Sequence, residues 1–245
     1  MKRYWLFLLA IATSTLMFDL QGLAAVFKAS RRLSGFSPDS RYYIYLESSR
    51  DPVTEVPTAT LQIIDVAKNS CVSDGCLETQ YDRSSSNLSN RAAEDELLGK
   101  TLPLRRELKL NQLKVGIPLP VTARSISPAR SETVQVRLEN QKRPLQISLQ
   151  QKYRSSIALG GSVTTEQSSM RLLIDYNYRR LTLGDLNNYR DTVKKYSIRE
   201  VRLSPNERNI VVLIEQTQAT YEGVLQTTLV QSFPLEISKP SEQSS

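Results

Sequence analysis

Between Arg171 and Tyr178 the chain reads RLLIDYNY, and Leu172, Ile174, Tyr176 and Tyr178 place an apolar or aromatic group at every second residue. A period of two puts those groups on one face of an extended strand. Related signals fill most of the sequence. Arg41 to Glu47 (RYYIYLE) and Thr60 to Val66 (TLQIIDV) read as a hairpin whose long connection contains Pro52 and Pro57. Val134 to Leu138 and Leu145 to Leu149 alternate around the polar turn ENQKRP, and Ser156 to Val163 carries a Gly160-Gly161 break. Val201 to Leu203, Ile210 to Glu215 and Val224 to Phe233 complete the set. Strands of this kind bury their apolar faces only by stacking sheets. The expected fold is mainly β, an antiparallel β-sandwich or open barrel-like sheets.

One segment breaks the pattern. After the serine- and asparagine-rich stretch Ser84 to Asn90, residues 90–114 read as a helical insertion. Ser89 or Asn90 supplies an N-cap, and Glu94, Asp95 and Glu96 lie in the early turns, where carboxylates suit the helix dipole. Arg105, Arg106, Lys109 and Lys114 follow in the latter half. Pro103 should end or kink the helix, because it lacks a donor and crowds the preceding turn.

The N-terminus has the order of a secretory signal. Lys2 and Arg3 precede an apolar run from Tyr4 to Met17, and Asp19 breaks it before the small residues Gly22, Ala24 and Ala25. The run is shorter than the roughly 20 residues a membrane-spanning helix needs. Residues 1–24 are therefore expected to be a signal peptide cleaved near Ala24 or Ala25, with an uncleaved anchor as the alternative. Residues 25–238 would form one mostly-β domain and 239–245 a disordered tail. No further stretch is apolar enough to span a bilayer, so the product would be periplasmic or extracellular. The net charge of +7 becomes +6 once Lys2, Arg3 and Asp19 leave 30 basic against 24 acidic residues. That excess favours anionic partners without selecting among them. Cys71 and Cys76 are the only cysteines. Export makes a disulfide the leading reading, and Asp74-Gly75 supplies turn residues between the two thiols. C-x-x-C redox spacing is absent, and the chain has no histidine to complete a zinc site.

The stretches GFSPDSRYYIYLE and RLSPNERNIVVLIE share a turn at an offset of 167: Ser37, Pro38, Asp39 and Arg41 fall on Ser204, Pro205, Asn206 and Arg208. Proline presets the turn and Asp or Asn tolerates its tighter conformations. The motif resembles the turn of TolB-like propeller blades, but a propeller needs about four or more blades of roughly 40 to 45 residues. A third candidate, Ser127-Pro128, has Arg130 out of register. More extensively, FSPDSRYYIYLE…LQIIDVAKN, AEDELLGKTLPLRREL, YSIREVRLSPNERNIVVLIE and YEGVLQTTLVQSF occur in an order that resembles a bacterial family of predicted secreted proteins, domain of unknown function 2259. The resemblance spans Phe36 to Phe233. It implies export and a single mostly-β domain, and it carries no catalytic residues. The family usually has glycine in the turns where this chain has Ser40 and Glu207.

Without histidine, Ser-His and Cys-His nucleophiles and histidine metal centres are excluded. G-x-S-x-G, S-x-x-K and P-loop motifs are absent too. A carboxylate pair acting on a glycan needs only two Asp or Glu residues across a cleft. Glu94, Asp95 and Glu96 diverge on a helix at about 100° per residue, whereas Asp39, Asp65 and Asp185 could meet in space. The segment DLNNYRD offers Asp185 and Asn187 at calcium-loop positions, but Tyr189 and Arg190 do not fit, and a hairpin loop accounts for it better. No metal or cofactor is expected.

The most suggestive stretch runs from Asp175 to Arg199. It interleaves Tyr176, Tyr178, Tyr189 and Tyr196 with Arg179, Arg180, Arg190, Lys194 and Lys195. Aromatic faces beside cations suit an envelope polymer; an exported chain meets little nucleic acid. The leading expectation is a non-enzymatic envelope or periplasmic protein that binds an anionic polymer or a protein partner. The alternatives are a carboxylate-dependent glycan-acting enzyme and a purely structural partner with an apolar patch.

Overall fold

The computed structural model describes residues 25–127, 131–139, 143–157 and 164–235. The signal segment 1–24, the Gly160-Gly161 break, Pro128 of the third turn candidate, residues 140–142 of the ENQKRP turn and the tail 239–245 lie outside the described residues.

The chain opens with β1 (Ala25–Lys28) and continues as a meander of β2 (Ser30–Phe36), β3 (Tyr42–Arg50), β4 (Pro57–Asp65) and β5 (Ser70–Glu78). Helices α1 (Asn90–Lys100) and α2 (Leu102–Glu107) follow, then the two-residue β6 (Ile117–Pro118). A second meander comprises β7 (Val121–Ile126), β8 (Glu132–Val136), β9 (Leu145–Ile157), β10 (Thr164–Tyr176) and β11 (Arg179–Asp191). Finally β12 (Val193–Leu203), β13 (Asn209–Ala219) and β14 (Gly223–Pro234) form a central sheet of order β1-β14-β13-β12-β6, in which only β1 runs parallel to its neighbour.

The molecule is mostly β, in three sheets stacked with the helices outermost. The run Ile210 to Ile214 on β13 is buried at every residue, as a strand covered on both faces must be. One face places Ile210, Val212 and Ile214 against Val134, Ile147, Leu149 and Leu172 of the second meander. The other places Val211 and Leu213 against Phe36, Tyr43 and Tyr45 of the first. The first meander's outer face, Ile44, Leu46, Leu61 and Ile63, packs on Ala93, Leu97 and Leu110. Its β3–β4 hairpin pairs Tyr42 with Asp65 and Arg50 with Pro57.

Helix α1 starts where Ser89 Oγ accepts the Ala92 N–H at 3.1 Å. It ends at Thr101, and Pro103 occupies the first turn of α2, where its missing donor is harmless. Residues 108–114 are not helical: the chain turns at Lys109, whose φ is +56°, and Lys114 bridges back to Phe36. Glu94 points inward, accepting from Ser48 Oγ at 2.6 Å and Arg32 Nη1 at 3.0 Å.

The outer edges of β14 and β12 in the central sheet are only partly paired by the short β1 and β6, and side chains from the flanking sheets, most of them buried, take the place of missing strands. Along β14, Ala29 N–H reaches Gln226 O at 2.9 Å and β1 then stops. Beyond it, Glu47 accepts the Thr228 N–H at 2.5 Å, and Gln62 donates to Thr228 O at 2.7 Å while accepting the Val230 N–H at 3.1 Å. Asn69 accepts the Ser232 N–H at 2.7 Å. Along β12 the second meander acts alike. Gln151 donates to Tyr196 O at 2.8 Å and accepts its N–H at 2.7 Å. Glu132 accepts the Ile198 N–H at 2.9 Å, and Arg124 donates to Ile198 O at 2.9 Å. A primary amide carries a donor and an acceptor, so glutamine imitates a peptide group of a neighbouring strand. Buried backbone groups require such partners.

The repeated turn closes two hairpins, β2–β3 and β12–β13, that pack on each other. In one, Ser37 Oγ donates to Asp39 at 2.6 Å and accepts the Tyr42 N–H at 3.1 Å; in the other, Ser204 Oγ donates to Asn206 at 2.6 Å and accepts the Asn209 N–H at 3.0 Å. Asn209 Nδ2 donates across to Ser40 O at 3.3 Å. Ser40 and Glu207 have φ of +62° and +57°, which explains the preference for glycine there. Two stacked hairpins, not propeller blades, use this turn.

Cys71 and Cys76 are bonded within β5. Cys71 pairs with Ile64 and Cys76 with Gln62, so the bridge closes a bulge on a sheet edge, a place where irregularity blocks unwanted strand pairing. Asp74, at φ +56°, turns the bulge.

Candidate binding surfaces

The segment from Asp175 to Arg199 is divided by the second meander. Strands β10 and β11 pair from Tyr176↔Arg179 to Gln167↔Asp191. From Gln167 to Tyr176 is nine residue steps of β10, roughly 30 Å at ~3.3 Å per residue. Tyr176, Tyr178, Arg179 and Arg180 therefore sit at one end of the sheet, and Tyr189, Arg190, Lys194 and Lys195 at the other. Tyr196 lies at neither end: it is 1% exposed in the core between the sheets, and its hydroxyl donates to Ser168 O at 3.3 Å. Burial pushes its phenol pKa up.

At the first end, Asn177 and Tyr178 are the two residues of the β10–β11 turn, with φ of +47° and +63°. Positive φ at both central positions is the mark of a type I′ turn, whose second position normally carries glycine. Tyr178 occupies it and is 87% exposed. The Arg143 guanidinium lies 4.2 Å from the centre of its ring. Arg180 pairs with Asp175 at 2.7 Å, and Tyr176 is half-buried against the core. Beside the turn runs a groove of about 500 Å³ lined by Arg143, Tyr178, Arg179 and Arg180. Arg143, which completes this tip, belongs to the polar turn between β8 and β9, and its basic Lys142-Arg143 pair was the only hint of it in the sequence.

At the other end, Arg154 stacks on Tyr189 at 4.0 Å, Lys194 pairs with Glu166 at 3.4 Å, and Lys195 is exposed. Residues 186–189 form a bulge within β11, since Ser168 pairs with Arg190 and Met170 with Asp185. DLNNYRD thus lies inside a strand, not in a hairpin loop, and Asp185 accepts the Asn187 N–H at 2.9 Å.

The other carboxylates considered from sequence serve local turns. Asp39 accepts from Ser37 and the Arg41 N–H, and Asp65 accepts the Lys68 N–H at 3.2 Å. Glu47, 2% exposed, receives Thr228 N–H and Oγ1 and the Tyr45 hydroxyl. Burial raises its pKa, but these donors occupy both oxygens.

Among the described residues, no helix is long and apolar enough to cross a membrane. No curated protein matches the chain. The model of a family described as "Predicted secreted protein (DUF2259)" matches residues 52–232, which include β4 and β5 of the first meander and all of the second. The chain belongs to that family of predicted secreted proteins.

Proposed function

We propose that this chain is an exported, non-enzymatic binding protein of the bacterial envelope that holds an anionic polymer at the Tyr178 tip. The observation that carries the reading is a tyrosine in the glycine position of a type I′ turn, 87% exposed and backed by Arg143. A bulky residue in that conformation costs roughly 1–2 kcal/mol, and exposure returns no packing energy for it. Backbone strain kept at an exposed aromatic is a pointer to function. Arg143, Arg179 and Arg180 outnumber Asp175, which leaves the tip with an excess of two positive charges. Guanidinium groups pair with phosphate or carboxylate, and the ring adds a contact face.

The test is co-sedimentation of the mature protein with isolated wall and membrane fractions across a salt series. Binding should weaken with salt, as exposed charge pairs do, and weaken again in Arg143→Glu/Arg179→Glu. Absence of binding at low salt, or binding indifferent to both charges, would remove the proposal.

A further inference from the structure

We propose that the ligand of the Tyr178 tip is amphiphilic: an anionic lipid whose acyl chain lies in an apolar groove behind the arginines. The inference rests on reading the tip as an anion site, and it names what the anion is attached to. No residue of β11 is buried along its 13 positions, so the strand overhangs the central sheet. The register identifies the face left uncovered. Leu181 pairs with Ile174 and Leu183 with Leu172, and directly paired residues point to the same side of a sheet. Leu172 and Ile174 belong to the core. Leu181 therefore lies on the core side, yet it is 38% exposed.

Beneath it runs a groove of about 250 Å³, walled by Ile174 and Leu181 on one side and by Phe233 and Leu235 at the end of β14 on the other. An apolar cavity of roughly 150 Å³ holds the six carbons of benzene, so this groove takes a chain of about eight. Its mouth is cationic. Arg179 pairs with Tyr176 and so shares the face of Leu181, two residue steps or roughly 7 Å along the strand. Arg179 and Arg180 also line the neighbouring groove of Arg143 and Tyr178, so the two grooves meet at these arginines. Among the described residues lining either groove, only Asp175 is acidic, and it pairs with Arg180. Positive charge thus stands at the mouth of an apolar slot. That complementarity selects the occupant: phosphate or carboxylate at Arg179 and Arg143, hydrocarbon against Leu181 and Phe233. A polymer without a lipid end would leave the apolar wall wet, and a neutral lipid would leave the cations unmatched.

The experiment titrates butyl phosphate, octyl phosphate and octyltrimethylammonium, all below their micelle concentrations, into the mature protein, followed by calorimetry and by NMR of the leucine and isoleucine methyls. Each methylene added to the phosphate should raise affinity by up to about fourfold, the worth of burying it, so octyl phosphate should bind at least about tenfold tighter than butyl phosphate. The octyl cation should not bind. Leu181→Ser should weaken octyl phosphate roughly tenfold and leave butyl phosphate unchanged, whereas Arg179→Gln should weaken both phosphates roughly tenfold. Butyl phosphate binding as tightly as octyl phosphate would overturn the lipid inference and leave the anion site standing. So would failure of octyl phosphate to bind at about 1 mM while envelope fractions still co-sediment; loss of both would overturn both readings. The octyl cation binding as well as octyl phosphate would show an apolar slot without charge selection and overturn the proposal. A several-fold rise in affinity on removing residues 236–245 would assign the groove to the end of the chain itself and overturn it too.

Discussion

Replacing Gln62 with leucine isolates the energetic role of the side chains that stand in for strands. The Gln62 amide is buried and makes two bonds to β14, at 2.7 Å to Thr228 O and 3.1 Å from the Val230 N–H. Leucine has a similar volume and neither group. Each orphaned buried backbone group costs about 1–3 kcal/mol, and the apolar side chain recovers roughly 1 kcal/mol through burial. The expected net loss is about 3 kcal/mol, a large share of the roughly 5–15 kcal/mol that stabilises an ordinary domain. With a urea m-value near the upper part of the ~1–3 kcal/mol/M range, the unfolding midpoint should fall by about 1 M. Hydrogen exchange gives a local readout, since the Val230 amide should lose protection in excess of the global change. Gln80→Leu, at an exposed position, is the control and should stay within about 0.5 kcal/mol. A loss below about 1 kcal/mol with Val230 still protected would show that β14 does not depend on this amide.

Four further outcomes follow from named contacts. Ser40→Gly and Glu207→Gly should each stabilise by about 0.5–1 kcal/mol in chemical denaturation, because both residues sit at positive φ. Burial raises the Glu47 pKa above the ordinary 4.5, so the unfolded chain ionises this group first. Its contribution is fully present below pH 4.5 and is lost as pH rises through the native pKa; a pH series of urea midpoints should show that fall in the wild type and not in Glu47→Gln. Replacing Cys71 and Cys76 with serine should cost about 2 kcal/mol in the chain-entropy account of a short loop, measured by thermal unfolding. The double variant should keep its far-ultraviolet spectrum, since β5 is an edge strand.

The strand content was legible because burial on one face leaves a period of two, and burial on both leaves a run such as IVVLI. A cap at Ser89 or Asn90 and a break at Pro103 were legible from local chemistry, and the Cys71–Cys76 bridge from export together with the turn residues between the thiols. Gln62 and Gln151 were not. In sequence they look like the solvent-facing members of alternating strands, and only the packing of a second sheet turns them inward onto a backbone edge. The parallel pairing of β1 with β14 joins residues nearly 200 positions apart, a separation over which no periodicity carries information. The Asp175–Arg199 stretch reads as one surface in the sequence, where its residues are neighbours, but neighbours along a strand are not neighbours in space. An extended 13-residue strand instead carries its two ends apart, and Tyr196, on the following strand β12, points into the core.

The central functional claim is that Tyr178 is kept in a strained turn for the sake of binding. Tyr178→Gly tests it most directly, with thermal unfolding and salt-dependent co-sedimentation measured on the same preparation. Relief of about 1 kcal/mol should raise the melting temperature by roughly 2–4 °C for a chain of this size, while binding to envelope fractions falls several-fold. An unchanged affinity, or a melting temperature that falls, would contradict the claim.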